Sequence, residues 1–275
     1  MGKVDLHVHT TASDGKFSPA EIVQKARESG ILYLGICDHD SIEGLKPAQA
    51  AAGDGSDIRV IGGVEINTDI PTGELHILGY LCNFENAELK RTLEQLRESR
   101  LDRTRKMIEK LNNLGCNISY ERVKAIAGSG SVGRPHIAEA LLEKGYVSSF
   151  KEAFNKYINR GGPAYVEKDK LTPAEATRLI VRSGGIPVLA HPLIFDNPEP
   201  LIRELKAVGL AGLEVYYGSY SSEQINELLS LANNHNLIAT GGSDFHGIES
   251  NNEPPLGTVE VPLACAERLL QFSNR

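Results

Sequence analysis

The stretch Asp5-Leu6-His7-Val8-His9-Thr10-Thr11-Ala12-Ser13-Asp14-Gly15 decides how the fold is read. Val4 to Val8 alternate and lean β-branched, the pattern of a buried strand. A strand has a side-chain period of two, so His7 and His9 point to the same side. Asp14 follows after a short polar loop. Two imidazoles and a carboxylate converging where a strand ends form a ligand set for a divalent transition metal.

Around that stretch lies a chain of 275 residues, 41% hydrophobic and 24% charged, which suits one globular barrel with an insertion. No apolar run approaches membrane-spanning length, and the N-terminus enters a strand without a signal-peptide core. No membrane partner and a cytoplasmic location are therefore expected. Cys37, Cys82, Cys116 and Cys265 form no CxxC pair and read as reduced, buried thiols. The net charge of −7 is uneven: residues 84–170 hold 17 Lys+Arg against 12 Asp+Glu, a net of +5, which leaves −12 on the remainder. An acidic body suits bound cations, and a basic insert facing it suits an anionic substrate. A solvated helical surface with i,i+4 pairs would give the same count.

Taken in order, Ser18-Pro19-Ala20-Glu21 is a capping box that opens a helix to about Ser29. Tyr33 to Cys37 reads as a buried strand delivering Asp38-His39-Asp40, and a helix follows near Leu45–Ala52. Ile58 to Ile66 is the next strand, with Glu65 near its end. Thr68 to Tyr80 reads as a strand pair around Pro71-Thr72-Gly73, with His76 on the second arm. Residues 84–165 then change character. A long charged helix over Asn86–Leu114 precedes shorter ones near Tyr120–Ala127, Arg134–Lys144 and Ser149–Asn159, with no strand-like run between them. Alternation resumes with a helix from Thr172, a strand Ile186–Ala190 ending at His191, and a helix over Pro198–Val208. A strand Gly212–Tyr216 carries Glu214, and a helix runs from Ser221 to Asn234. A strand Leu237–Gly241 ends in Gly242-Ser243-Asp244-Phe245-His246, and a last helix covers Leu263–Phe272.

Repeated strand–helix units imply a parallel sheet wrapped by helices. His7, His9, His39, Glu65, His191, Asp244 and His246 all fall at or just past the C-terminal ends of expected strands, where a β/α barrel places its site. An open doubly wound sheet would gather them at one switch point. Because they come from across the chain, a barrel is the better fit, with residues 1–83 and 166–275 as barrel and 84–165 as a helical insertion. Six histidines (His7, His9, His39, His76, His191, His246) and three carboxylates (Asp14, Glu65, Asp244) exceed the needs of one ion. They suit two or three with bridging ligands. Asp38 and Asp40 either orient imidazoles or hold turn backbone; Glu214 either orients a ligand or caps its strand.

The set His7-Val8-His9, Asp14, Cys37-Asp38-His39-Asp40, Glu65, His76, Ala190-His191-Pro192 and Gly242-Ser243-Asp244-Phe245-His246 resembles the PHP family, the polymerase and histidinol phosphatase domain. The resemblance implies a distorted (β/α)7, TIM-like barrel with a trinuclear centre of manganese, or else iron or zinc. Carried over by motif, His7, His9, Glu65 and Asp244 hold one ion. Glu65 bridges to a second held by His76 and His191, and Asp14, His39 and His246 hold a third. Cys37 stands where members often show Thr, as a small buried residue.

Clustered divalent ions turn a bridging water into hydroxide and neutralise phosphate oxygens, so phosphate ester hydrolysis is the expected chemistry, with Asp244 as a catalytic ligand. Gly133-Arg134-Pro135-His136 in the insert adds Arg134 to fork onto phosphate and His136 to bind phosphate or protonate the leaving oxygen. Arg160, beside Gly161-Gly162, is a further phosphate candidate; a helix-start salt bridge is the alternative for each. The insert with GRPH resembles the subgroup of 3',5'-nucleotide bisphosphate phosphatases and ribonuclease AM-type 5'-3' exoribonucleases. That resemblance implies a small phosphorylated nucleotide or short oligonucleotide as substrate. The absence of Trp and of a long basic tract argues against tight binding of long nucleic acid. Competing readings are a histidinol phosphatase, an amide or C–N hydrolase, and a metal-binding module without turnover.

Overall fold

The structure is a computed structural model that describes residues 2–53, 57–70, 73–128, 132–167, 171–194, 197–248 and 253–272. In chain order the elements are β1 (Lys3–Val8), α1 (Pro19–Glu28), β2 (Ile31–Ile36), α2 (Leu45–Ala52), β3 (Arg59–Ile70) and β4 (Gly73–Tyr80). Next come α3 (Ala87–Asn113), α4 (Tyr120–Ala127), α5 (Arg134–Glu143) and α6 (Phe150–Ala153), which runs into a π-helical turn over Phe154–Ile158. The chain ends with α7 (Pro173–Arg182), β5 (Ile186–Leu189), α8 (Glu199–Lys206), β6 (Gly212–Tyr217), α9 (Ser222–Asn234), β7 (Ile238–Gly242) and α10 (Leu263–Phe272).

The seven strands lie side by side in sequence order. β1, β2 and β3 are parallel, as are β5, β6 and β7, whereas β4 runs antiparallel to both neighbours. The edges nearly close. Val8 bridges Phe245, the His9 amide donates to the Phe245 carbonyl at 3.0 Å, and the Asp244 amide donates to the His7 carbonyl at 2.8 Å. Closure needs Gly242, because a Cβ there would sit 2.4 Å from the His7 nitrogen. The result is the distorted seven-stranded, TIM-like barrel, and the reversed β4 is the distortion.

Three helices begin as the sequence predicts: Ser18, Thr172 and Ser221 each cap a helix reciprocally with Glu21, Glu175 and Gln224. β3 differs from expectation. It runs on from Arg59 to Ile70, so the first arm of the expected strand pair is its continuation and not a separate strand. The turn predicted at Pro71-Thr72-Gly73 has residues 71 and 72 outside the described set. Leu6, Leu78, Val188 and Tyr80 fill the barrel interior, where the Tyr80 hydroxyl donates to the Leu6 carbonyl at 3.0 Å. Burying the phenol adds about 1.5–3 kcal/mol of apolar burial, and the hydrogen bond keeps its oxygen satisfied.

Between β4 and β5 the described residues form helices only. Met107, Leu111, Ile137, Leu141 and Ile158 pack there into a core of their own. Among the described residues no helix is long and apolar enough to cross a membrane.

Candidate metal and phosphate site

β1 sends His7 and His9 to one side, as its period requires, and leaves both fully buried with their Nε2 atoms 3.2 Å apart. The loop after β1 is folded by Asp38, whose carboxylate accepts the Thr10 amide (2.7 Å), the Thr10 hydroxyl (2.8 Å) and the Ser13 hydroxyl (2.6 Å). That loop presents Asp14. One oxygen lies 3.7 Å from His9 Nδ1 and 3.4 Å from His246 Nε2, and the other 3.8 Å from His39 Nε2. Asp38 therefore holds turn backbone and hydroxyls, not an imidazole. Asp40 does the same for Asn67 and also accepts from Arg100.

Glu65, near the middle of β3, is the hub. Its Oε2 lies 3.3 Å from His7 Nε2, 3.1 Å from His9 Nε2 and 3.1 Å from His39 Nδ1. Its Oε1 lies 2.8 Å from His76 Nδ1 and 3.3 Å from His191 Nε2. His76 sits in the first half of β4, not past a strand end. Because β4 runs backwards, that half lies at the same rim, opposite Asn67. Asp244 completes the ring, with Oδ1 3.0 Å from His9 Nε2 and 3.4 Å from His7 Nε2.

Among the described residues three groups of donor atoms are close enough to hold a cation: His7, His9, Glu65 and Asp244; His9, Asp14, His39 and His246; and His39, Glu65 and His76. The first matches the set implied by the resemblance. The second adds His9 to the expected trio. The third draws in His39, while His191 remains 3.2 Å from His76 and 3.3 Å from Glu65.

Buried polar atoms normally have partners. Here Asp14 Oδ1, Glu65 Oε2, His76 Nε2 and Asp244 Oδ1 are buried with no hydrogen bond. The three carboxylate oxygens approach imidazoles without hydrogen-bond geometry, as atoms sharing a cation do, so the residues present fit metal ions. The electrostatics agree. Burial opposes charge on His9, yet the Asp244 and Glu65 carboxylates outweigh it and push the imidazole up to about 10. His39, more burdened by burial than helped by Glu65 and Asp14, is pushed down to about 3. The backbone is also committed: Asp40, His191 and Asp244 hold positive φ values of 50°, 26° and 54°, costly conformations that cluster at functional sites.

A cavity of about 180 Å³ opens from these ligands, with Asp14, His39 and His76 on one wall. Arg100, Arg103, Arg134 and His136, from α3 and α5, line the same cavity and make up its helical side. Arg134 donates to Glu74 at 2.8 Å, and Arg103 lies 3.9 Å from the same carboxylate while donating to the Val166 carbonyl. Arg100 Nε and Arg103 Nη2 are buried without partners. His136 is at the third position of α5, not at a strand end. Its Nδ1 accepts the Gly133 amide at 3.0 Å, which places the proton of the neutral ring on Nε2. Arg160 does not line this cavity. It donates to the Ile70 carbonyl, pairs with Asp69 and Glu167, and borders a separate groove of about 550 Å³ with Lys106, Lys110 and Tyr165.

Sequence reading missed Arg100 and Arg103. Their signal was present: Leu89, Leu93, Leu96, Arg100, Arg103, Met107 and Leu111 keep one helical spacing, so two arginines occupy positions on the apolar stripe of α3.

A family model for the PHP domain matches residues 5–167. A 5'-3' exoribonuclease of Haemophilus influenzae is 36% identical, covering 89% of this chain and 90% of that protein. A 3',5'-nucleoside bisphosphate phosphatase of Chromobacterium violaceum is 32% identical over 96% of this chain and 94% of its own length. Among solved structures, a candidate metal-dependent phosphoesterase of Bifidobacterium adolescentis is similar with a TM-score of 0.87 and 29% identity, covering 98% of this chain and 96% of the other.

Proposed function

The chain belongs to the PHP domain family and is a metal-dependent phosphoesterase, and we propose that it removes the 3'-phosphate from nucleoside 3',5'-bisphosphates and trims short oligonucleotides from the 5' end. The observation that carries this reading is that candidate metal ligands and three arginines line one small cavity. The ligands come from the barrel strands and loops, and Arg100, Arg103 and Arg134 from the helices between β4 and β5. A substrate with two phosphates on one nucleoside satisfies both.

Three divalent ions, manganese before iron or zinc, would be held by His7, His9, Glu65 and Asp244, by Glu65, His76 and His191, and by Asp14, His39 and His246. Bound there, they would activate water and neutralise the oxygens of the phosphate under attack. The chain's own residues then divide the work. Arg103 and Arg134 fork onto the second phosphate and fix the nucleoside. Arg100 adds charge behind them while holding Asp40. His136, neutral because burial lowers its pKa and with its proton on Nε2, donates to a phosphate or leaving oxygen. Asp244 would act as the catalytic ligand of the group it forms with His7, His9 and Glu65. Arg160 would meet only a substrate that extends past the cavity.

One site serves both substrates because the same bond breaks. In each, water displaces the 3'-oxygen of the first nucleoside from phosphorus; an oligonucleotide merely carries a second ester on that phosphorus. Histidinol phosphate offers one phosphate and an ammonium, and the ammonium would face arginines. The insert 84–165, set into a barrel of residues 1–83 and 166–275, supplies those arginines. Four free, buried cysteines support a reducing, cytoplasmic setting.

The test is phosphate release from adenosine 3',5'-bisphosphate, and AMP release from 5'-phosphorylated trinucleotides, by Mn2+-loaded protein, with histidinol phosphate in parallel. Preference for histidinol phosphate would overturn the assignment.

A further inference from the structure

β6 contributes none of the nine donor residues, yet its end touches three of them. The Glu214 carboxylate, fully buried, accepts His7 Nδ1–H at 2.9 Å through one oxygen and the His191 amide at 2.7 Å through the other. Three residues on, the Tyr217 hydroxyl donates to Asp244 Oδ2 at 2.9 Å. The contacted residues come from β1, from the loop after β5 and from the loop after β7.

In a regular strand, residues three apart face opposite ways, so Glu214 and Tyr217 should not both reach the rim. The register explains it. Glu214 pairs with Thr240 but Tyr216 with Gly241, so β6 uses two residues where β7 uses one. Such a bulge re-aims the side chain beyond it. Val215 and Tyr216 pack into the apolar core while Glu214 and Tyr217 both turn to the ligands.

We propose that the β6 bulge makes Glu214 and Tyr217 a pair of positioning residues that set how the chain grips its metal ions. Glu214 holds the His7 proton on Nδ1, which leaves Nε2 free to ligate. It also pins the His191 amide, whose residue sits at a φ of 26° that an unheld histidine would leave. Tyr217 occupies Asp244 Oδ2, which leaves the partnerless Oδ1 facing His7 and His9. The Tyr217 ring is itself wedged between His191 and Tyr220, at centroid distances of 5.7 and 5.1 Å. Tyr220 in turn accepts the Leu193 amide at 3.1 Å.

The inference rests on the metal-dependent reading, and the experiment separates the two. Mn2+ binding is measured by titration calorimetry and by the paramagnetic resonance of bound Mn2+. Wild type is compared with Tyr217→Phe, Glu214→Gln and Tyr216→Phe, the last from the other face of the bulge. Melting of the metal-free forms is recorded alongside. Losing an oriented partner of a ligand weakens metal binding by roughly 10- to 100-fold. Tyr217→Phe is expected near the lower figure, with metal-free melting unchanged, an altered resonance and phosphate release restored at saturating Mn2+. Glu214→Gln is expected near the upper figure, because its amide NH2 must face an N–H. Tyr216→Phe is expected to bind as wild type. Tyr217→Phe removes one oxygen and decides alone if Glu214→Gln does not fold. Wild-type affinity and resonance in Tyr217→Phe, or equal weakening in Tyr216→Phe, overturns the proposal. A wild type that binds no Mn2+ overturns the metal-dependent reading instead.

Discussion

On the barrel side of the cavity the donors are held from behind. His7 leans on Glu214, Asp244 on Tyr217, His39 on Asn67, and His246 on the Asp244 carbonyl and Glu253. On the helical side Arg100 and Arg103 each keep one buried N–H without a partner, and Arg134 shares Glu74 with Arg103. The difference follows from what each wall must bind. A metal site tolerates ligand errors of only about 0.2 Å, so its side chains need locked rotamers. A phosphate accepts several donors in several directions, so long side chains with spare N–H groups suffice. Removing a donor from the rigid wall should therefore abolish the site, while removing an arginine from the other wall should weaken it.

Glu65→Gln is the most severe way to break the rigid wall. Glu65 touches five histidines, and the substitution removes their shared charge. Elemental analysis should show lost metal, and phosphate release should fall on the order of 10³-fold or more. Asp244→Asn should follow closely, since Asn tolerates its positive φ and only the charge changes. Full metal content with full turnover in either variant would mean that the cluster is not the reacting centre.

Arg103→Ala tests the other wall. A charge-assisted hydrogen bond contributes about 1.5–3 kcal/mol, so kcat/KM for adenosine 3',5'-bisphosphate should drop about 10- to 100-fold. Metal content should stay intact, and turnover of p-nitrophenyl phosphate, which has a single phosphate, should barely change. A comparable loss on both substrates would erase the division between the walls.

The two walls also differed in how far the sequence revealed them. The ligands His7, His9 and His39 sit where alternating strands end, a local pattern, and Ser18, Thr172 and Ser221 announce their helices through Glu or Gln three residues on. His76 was harder to place, because a reversed β4 brings a strand's beginning to the rim. Arg100 and Arg103 were hidden because α3 is charged along most of its length, and nothing local distinguishes a buried arginine from a solvated one. What separates them is tertiary: the apolar stripe of α3 passes over the metal ligands there. Tyr217 was hidden by a bulge, which strict alternation does not foresee.

The pH response should distinguish a protonated cluster from a metallated one. An unfolded histidine titrates near about 6.5, and His9 in the metal-free fold near 10. Its folded pKa is raised, so its stabilisation is complete below the unfolded value and is lost as pH rises through about 10. Metal-free wild type should lose melting temperature across that window more than metal-free His9→Gln. Metal ligation needs a neutral imidazole, so Mn2+ affinity should rise over the same interval. Parallel melting curves for the two proteins would show that His9 carries no such proton.

The smallest effect should come from Thr172→Ala, at the start of α7, which packs outside β3, β4 and β5. Thr172 accepts the Glu175 amide at 3.3 Å, and the Glu175 carboxylate reaches back to the Thr172 amide at 2.8 Å. Losing such a cap costs about 1 kcal/mol, which lowers the melting temperature of a chain this size by about 2–4 °C. Neither Mn2+ affinity nor kcat/KM should move, because the cap's hydrogen bonds run between Thr172 and Glu175 and reach no donor residue. If affinity fell with the melting temperature, the rim would owe its rigidity to the whole barrel and not to the side chains behind each ligand. The contrast between the walls would then be one of distance from the helices, not of construction.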